Sequence, residues 1–129
     1  MTRTYTFNYA SYDNPPVPVV EAHIFSPDNP ELVETVFMIV DTGADAAILP
    51  KDIIKKLDVP LIGTATMRGI HGIGTTTAIH HVSIRIGDYT INRVEAASQK
   101  NLKQPILGRD VLNYLVMTLD GPAEVILIM

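Results

Sequence analysis

An aspartate stands directly after a run of five apolar residues in the first half of the sequence. Residues 36–50 read VFMIVDTGADAAILP, so that Asp41 is followed at once by Thr42 and Gly43. Asp-Thr-Gly alone is a common turn sequence. The preceding run, however, predicts a strand that is buried on both faces. Burial of a carboxyl group raises its pKa, and such acids collect at functional sites, so we interpret Asp41 as a catalytic candidate.

One carboxyl group is not enough for hydrolysis of an amide by general acid–base catalysis. Two adjacent carboxyl groups that share one proton can both accept and donate. The sequence holds a single Asp-Thr-Gly, so a second one would come from a second chain, across the two-fold axis of a dimer. A Cβ at Gly43 would obstruct that approach. The Thr42 hydroxyl could bond across the axis or within its own loop.

Two further segments have spacings that suggest function. Residues 69–74 read GIHGIG, which is neither a dinucleotide fingerprint nor a phosphate-binding loop, because strand-like sequence follows it. Its flanks favour a β-hairpin tip, either a lid over a substrate or an ordinary flexible hairpin. Residues 106–112 read ILGRDVL, just before apolar residues at helical spacing.

In this order, VDTGAD at residues 40–45, the glycine-rich tip and ILGRDVL resemble the retropepsins, the retroviral-type aspartic proteases. The resemblance covers residues 32–119. It implies an all-β, closed β-barrel-like acid protease fold with one or two short helices. It also implies an aspartic endopeptidase that is active as a homodimer on a peptide or protein substrate, with no metal and no other cofactor.

The resemblance assigns roles to residues in three groups. The catalytic residues are Asp41, Thr42 and Gly43. The substrate-binding residues are Ala44, Asp45, Gly72, Ile73 and Gly74. The supporting residues are Ile106 and Leu107 beneath the catalytic loop, Gly108 in a tight turn, and Arg109, which pairs with Asp45. Ala44 offers no hydroxyl to stabilise an ionised Asp41, so we expect a pH optimum in weak rather than strong acid.

The elements that position these residues are mostly strands. Alternation or apolar runs predict strands at residues 19–25, 32–40 and 82–86, and a short helix follows Pro50. Val111, Leu112, Leu115 and Val116 lie at helical spacing and predict a second helix. The terminal AEVILIM predicts a last strand whose exposed edge needs a partner, which a second subunit would provide.

Composition limits the classes of function. A chain of 129 residues predicts one domain over residues 1–129, and the absence of cysteine excludes disulfides and thiolate chemistry. A net charge of −4 argues against a nucleic-acid partner. No apolar run reaches the ~20 residues of a membrane span, and no signal peptide is recognisable, so we expect no membrane partner and a cytoplasmic location. His80 and His81 are adjacent on a strand and point to opposite faces, which argues against a metal site.

Two other hypotheses stay open at this point. The chain could be a non-catalytic dimeric module that binds peptides and has kept a retropepsin-like fold, although such a module has no need of an intact Asp-Thr-Gly. It could also be an acid-dependent hydrolase of a bond other than a peptide bond.

Overall fold

The computed structural model describes residues 3–68 and 74–129, which form ten strands and two short helices. The strands are β1 Tyr5–Asn8, β2 Val19–Ser26, β3 Asn29–Val40, β4 Ile48–Pro50, β5 Leu61–Arg68, β6 Gly74–Ile86, β7 Tyr89–Gln99, β8 Ile106–Leu107, β9 Met117–Asp120 and β10 Val125–Ile128. The helices are α1 Lys51–Leu57 and α2 Arg109–Leu112. The prediction of a mostly β chain with one or two short helices is confirmed.

Seven strands form a sheet that returns on itself. Their order is β2-β3-β8-β4-β7-β6-β5, and a further pairing between β2 and β6 closes the ring. The buried side chains of β2 alternate with half-buried ones, and Val20, Ala22 and Ile24 lie in the core. On β6, Ile84 pairs with Ile24 across that closing contact. The core therefore lies inside the ring, which fits the alternating pattern of its strands.

The prediction that the strand before Asp41 is buried on both faces is wrong. Met38 is fully buried, but Phe37 beside it is 55% exposed, and Val36, Ile39 and Val40 are half-buried. One face of β3 packs on the core while the other is only partly covered. An apolar run reports the chemistry of the side chains and not whether a second layer covers them.

A separate three-stranded sheet joins the two ends of the chain, in the order β1-β10-β9. Its register pairs Tyr5 with Ile128 and Asn8 with Val125. The terminal strand β10 is thus the central strand of this sheet. The expectation that it has an exposed edge is wrong, because β1 and β9 from the same chain occupy both of its sides.

Both helices follow extended residues. Pro50 precedes α1, which buries Ile54 and Leu57 and ends at Asp58 in the left-handed conformation. The second helix stops at Leu112, earlier than predicted, and Val116 is 61% exposed. The helical spacing beyond Leu112 therefore belongs to a turn that leads into β9. None of the helices in the described part of the chain is long and apolar enough to cross a membrane.

Candidate active site

Asp41 lies at the carboxyl end of β3, where the chain leaves the sheet. Its backbone N–H donates to the Leu107 carbonyl at 3.1 Å, which continues the parallel pairing of Val40 with Leu107. Leu107 is fully buried and Ile106 pairs with Ile39, so β8 supports the loop from below. The Asp41 residue is itself half-buried. The core thus anchors its backbone and leaves its carboxyl group open to solvent.

The loop fixes one oxygen of the Asp41 carboxyl group. The backbone N–H of Gly43 donates to Asp41 Oδ1 at 2.9 Å, and the N–H of Ala44 donates to the Asp41 carbonyl at 3.2 Å. Thr42 and Gly43 are exposed. A Cβ on Gly43 would lie 3.2 Å from Asp41 Oδ1, a tight contact. Glycine therefore keeps the space beside the carboxyl group open.

Arg109 ties the loop together at three points. Its Nη1 donates to the Thr42 carbonyl at 2.7 Å, and its Nη2 donates to Asp45 Oδ1 in the predicted ion pair. Its backbone N–H donates to the Ala44 carbonyl at 2.9 Å. Asp45 is largely exposed, so the ion pair contributes little stability by itself. The guanidinium instead fixes the path of the backbone on both sides of Gly43.

Gly108 is required for a reason that differs from the predicted one. Its backbone is extended, with φ −95° and ψ −177°, a conformation open to any residue. A Cβ there would lie 2.6 Å from the backbone carbon and oxygen of Ala46. The glycine therefore allows two backbone segments to approach each other, and the expected tight turn does not explain it.

Asp110 is a supporting residue that the sequence reasoning missed. Its Oδ2 accepts the backbone N–H of Ala47 at 3.0 Å, and its Oδ1 is buried with no hydrogen-bond partner among the described residues. Burial raises the pKa of Asp110, against the opposing effect of backbone N–H groups such as that of Ala47. The available signal was its place in ILGRDVL, next to Arg109.

The predicted substrate-binding residues are only partly described. Ala44 is half-buried and Asp45 is exposed on the catalytic loop. Gly74 begins β6 and pairs with Arg68 on β5. Gly72 and Ile73 lie outside the described residues. The structure thus brings the catalytic loop and its supporting residues together, and Gly74 stands on a separate hairpin.

Histidine and carboxylate side chains are spread over the described residues without forming a metal cluster. No group of three or more that could hold a metal ion occurs in residues 3–68 and 74–129. His81 lies 3.8 Å from Glu95, and His23 lies 3.6 Å from Glu21. Each of these two histidines therefore lies beside one carboxylate of its own sheet, which is too few ligands for a metal site.

Comparisons with known proteins agree on one family. A family model described as gag-polyprotein putative aspartyl protease matches residues 33–114. A retropepsin-like aspartic protease from Rickettsia conorii superposes with a TM-score of 0.64 at 18% identity, covering 99% of this chain and 93% of that chain. The EIAV protease complexed with an inhibitor gives a TM-score of 0.56 at 23% identity, covering 81% of this chain and 93% of that chain.

A third solved structure gives the same result at lower similarity. The simian foamy virus protease has a TM-score of 0.53 at 16% identity, and the alignment covers 74% of this chain and 92% of that chain. A search of curated protein sequences found no match. At these identities the solved structures establish the fold, which is retropepsin-like.

Proposed function

Since this chain belongs to the gag-polyprotein aspartyl protease family, we propose that it is an aspartic endopeptidase that works as a homodimer. Each subunit would contribute one Asp41, and the two carboxyl groups would meet at a two-fold axis. The observation that carries the proposal is the position of Asp41. A loop bonded to β8 and Arg109 holds it at the end of a core strand, with one carboxyl oxygen fixed by the Gly43 N–H.

The proposed reaction uses the two carboxyl groups in different protonation states. Like charges at close range cannot both ionise, so one group would be protonated and the other ionised. The ionised Asp41 would take a proton from a bound water molecule as the water attacks the peptide carbonyl carbon. The protonated Asp41 would give its proton to the carbonyl oxygen. The Asp41 that took the proton from water would then give it to the amide nitrogen, while the other Asp41 would take a proton back from a hydroxyl of the tetrahedral intermediate. The carbon–nitrogen bond then breaks, and the pair is left with one shared proton as at the start.

The substrate that suits this site is an extended peptide with mostly apolar side chains. A peptide can bind as an added strand, with alternate side chains in pockets on each side. Ala44 and Asp45 would line that groove, and Gly72, Ile73 and Gly74 would cover it from the hairpin. Both groups come from the resemblance to retropepsins.

The shape of the single chain is compatible with a shared site. A cavity of about 610 Å³ is lined by side chains such as Tyr12, Phe37 and Lys103 and does not include Asp41. A smaller hollow of about 270 Å³ lies beside Thr42 and Arg109. A groove completed by a second subunit would be open in each half and would not form a closed pocket in either one.

The test is the Asp41→Asn variant on a diverse peptide mixture, with products identified by mass spectrometry from pH 3 to pH 7. We expect the wild type to cleave with a maximum in weak acid and the variant to lose about a thousandfold in kcat/KM, because each general acid–base role contributes about 10²- to 10⁴-fold. Asp52→Asn on the exposed face of α1 is the matched control and should retain full activity.

Two results would contradict the proposed function, and a third would contradict its expected pH dependence. Equal cleavage by the wild type and Asp41→Asn would exclude a catalytic role for Asp41. No cleavage by the wild type at any pH would favour the non-catalytic peptide-binding module. A rate maximum below about pH 3, where even an ordinary aspartate is mostly protonated, would refute the expected pH dependence.

A further inference from the structure

The cavity of about 610 Å³ lies between segments that the candidate active site does not use. Residues of the β1–β2 connection, of β3, of the start of α1 and of the segment before β8 line it. None of the described residues that were predicted for catalysis or substrate binding is among them. Small-molecule sites commonly measure about 300–1,000 Å³, so this cavity has the size of a ligand site.

Apolar side chains form the inner wall of the cavity. Val19 and Pro105 are buried, while Tyr9, Val36 and Ile53 are half-buried and pack against the core. Because these side chains belong to strands and a helix that the core holds in place, the inner wall exists before any ligand binds. Ligand sites in proteins are usually pre-formed and mostly apolar in this way.

Two exposed aromatic side chains stand at the rim of the cavity. Tyr12 is 62% exposed and Phe37 is 55% exposed. The hydroxyl of Tyr12 donates to Gln104 Oε1 at 2.7 Å, and Gln104 Nε2 donates to the Phe37 carbonyl at 2.7 Å. This chain of hydrogen bonds joins two sides of the rim. Exposed apolar surface around a hollow is typical of a binding groove, and aromatic side chains favour an aromatic ligand through edge-to-face contacts.

The cavity also explains part of the apolar run before Asp41. That run was predicted to be buried on both faces, yet Phe37 is exposed. Both Val36 and Phe37 line the cavity. A ligand in the cavity would therefore cover apolar surface that the folded chain leaves open to water.

Lys103 is the one charged residue among those that line the cavity. It forms no ion pair within residues 3–68 and 74–129, and no carboxylate lines the cavity beside it. Lysine lays its apolar stem along apolar surface and keeps its ammonium group in water. An apolar cavity with one uncompensated positive charge is complementary to an apolar compound that carries one negative charge.

We propose that this cavity binds an aromatic monocarboxylate. The aromatic body would lie between Tyr12 and Phe37 and against Val36 and Ile53, and the carboxylate would pair with the ammonium group of Lys103. One lysine matches one negative charge, which favours a carboxylate over a phosphate monoester with nearly two. The inference adds a ligand site to the chain and does not depend on the proposed proteolysis.

A series of three compounds tests the role of charge on the wild-type protein. They are 2-naphthoate, its neutral analogue 2-naphthamide and the cation 2-naphthylmethylammonium, each titrated into ¹⁵N-labelled protein at about pH 7, where carboxylic acids are ionised and lysine is charged. We expect 2-naphthoate to saturate with a Kd of about 1 mM or below, the range for a ligand of this size. The amide should bind about fivefold more weakly, the upper end for one solvent-exposed ion pair, and the cation more weakly still.

The same titration locates the bound compound. The backbone amides of Tyr12, Phe37 and Gln104 should show the largest chemical-shift changes, because their residues line the cavity. The amides of Thr42 and Gly43 should keep their positions in the spectrum.

Lys103→Gln tests the charge from the side of the protein. We expect about fivefold weaker binding of 2-naphthoate and an unchanged Kd for 2-naphthamide, because only the carboxylate uses the ammonium group. Lys100→Gln makes the same change at an exposed lysine outside the cavity and should keep both wild-type Kd values.

Phe37→Ala tests the aromatic rim. We expect about tenfold weaker binding of both 2-naphthoate and 2-naphthamide, because each loses the same aromatic contact. Leu32→Ala removes an exposed apolar side chain from the same strand outside the cavity and should leave both Kd values unchanged.

Several results would overturn this inference. One is the absence of saturation by 2-naphthoate at about 10 mM, and another is equal affinity for all three compounds. Shifts centred on Thr42 would place the compound at the catalytic loop, which also overturns it. Because binding is measured without a peptide substrate, each of these results leaves the proposed function untouched, and loss of activity in Asp41→Asn leaves the ligand site untouched.

Discussion

The loop at residues 41–47 and the β5–β6 hairpin were both predicted to contribute to one site, yet the chain holds them in different ways. The loop is hydrogen-bonded to β8 and to the start of α2, and Gly108 between them lies close against the backbone of Ala46. The first six residues of β5, at positions 61–66, are exposed without exception. Backbone pairing to β6, with a register shift between Leu61 and Gly63, joins β5 to the sheet.

This difference is what the proposed chemistry requires of each part. A carboxyl group that activates water must keep one position, since a displacement of about 1 Å can cost a hundredfold in rate. A hairpin that covers different peptide segments benefits from few side-chain constraints. We infer that mutations in the loop and its supporting residues change stability and catalysis strongly, whereas matched mutations in the β5 arm are tolerated.

The largest effect is expected for Gly108→Ala. The added Cβ would lie 2.6 Å from the backbone carbon and oxygen of Ala46, and backbone atoms cannot turn aside as a side chain can. We expect the free energy of unfolding to fall by about 3 kcal/mol, the upper part of the usual cost of overpacking. Urea denaturation of the purified variant measures this loss.

Gly63→Ala is the matched control for that measurement. A Cβ at Gly63 on β5 meets nothing within 4 Å, so we expect a change within about 0.5 kcal/mol. If both alanine variants lose the same stability, the contrast between the loop and the hairpin is wrong.

The next effect concerns Asp110, whose carboxyl group accepts the N–H of the fully buried Ala47. Asp110→Ala leaves that buried donor without a partner, which costs about 1–3 kcal/mol of the free energy of unfolding. Asp110→Asn keeps an oxygen acceptor at the same place and should retain most of the stability. Equal losses for the two variants would show that the hydrogen bond is unimportant.

Asp110→Asn should also change how the free energy of unfolding depends on pH. Burial raises the pKa of Asp110 in the folded chain above its ordinary value of 3.8, so between the two pKa values the folded state binds more protons than the unfolded state. The wild type therefore loses stability as the pH rises through this window. The asparagine variant does not titrate at this position and lacks that loss. Its free energy of unfolding should therefore rise relative to that of the wild type as the pH increases from 3.8. A parallel pH dependence of the two proteins would contradict this assignment.

The sequence was sufficient for the parts of the molecule that depend on neighbours along the chain. Alternation identified the strands around Val20 and Ile84, and the Asp-Thr-Gly and Ile-Leu-Gly-Arg-Asp motifs together indicated the family. The pairing of Arg109 with Asp45 followed from the resemblance and is present in the structure. These features depend on local patterns or on short motifs that keep their order.

Features that depend on pairing between residues far apart in the chain could not be predicted from the sequence. The exposure of Phe37 depends on whether another layer covers β3, and the central position of β10 depends on its pairing with β1 at the other end of the chain. Asp110 lies in the first turn of a short helix, where an acidic residue is common. Only the approach of Ala47 in three dimensions distinguishes it from such a residue.

The smallest effect on stability, and the sharpest test of the comparison, is Arg109→Lys. Lysine keeps the positive charge but cannot reach both the Thr42 carbonyl and Asp45 with a planar fork of donors. Asp45 is 89% exposed and Arg109 is 43% exposed, so we expect a loss below about 1 kcal/mol in the free energy of unfolding. Under the proposed function, kcat/KM should fall by about tenfold or more, because the catalytic carboxyl group would be slightly displaced.

Arg85→Lys on the exposed side of β6 is the control, because it makes the same chemical change away from the catalytic loop. It should leave both stability and kcat/KM at wild-type values. A large loss of stability in Arg109→Lys would mean that Arg109 holds the fold and not only the loop. Wild-type kcat/KM in a stable Arg109→Lys would mean that β8 and the Gly43 N–H position Asp41 without the guanidinium. The contrast between loop and hairpin would then rest on the backbone contacts of Gly108 and Ala47 alone.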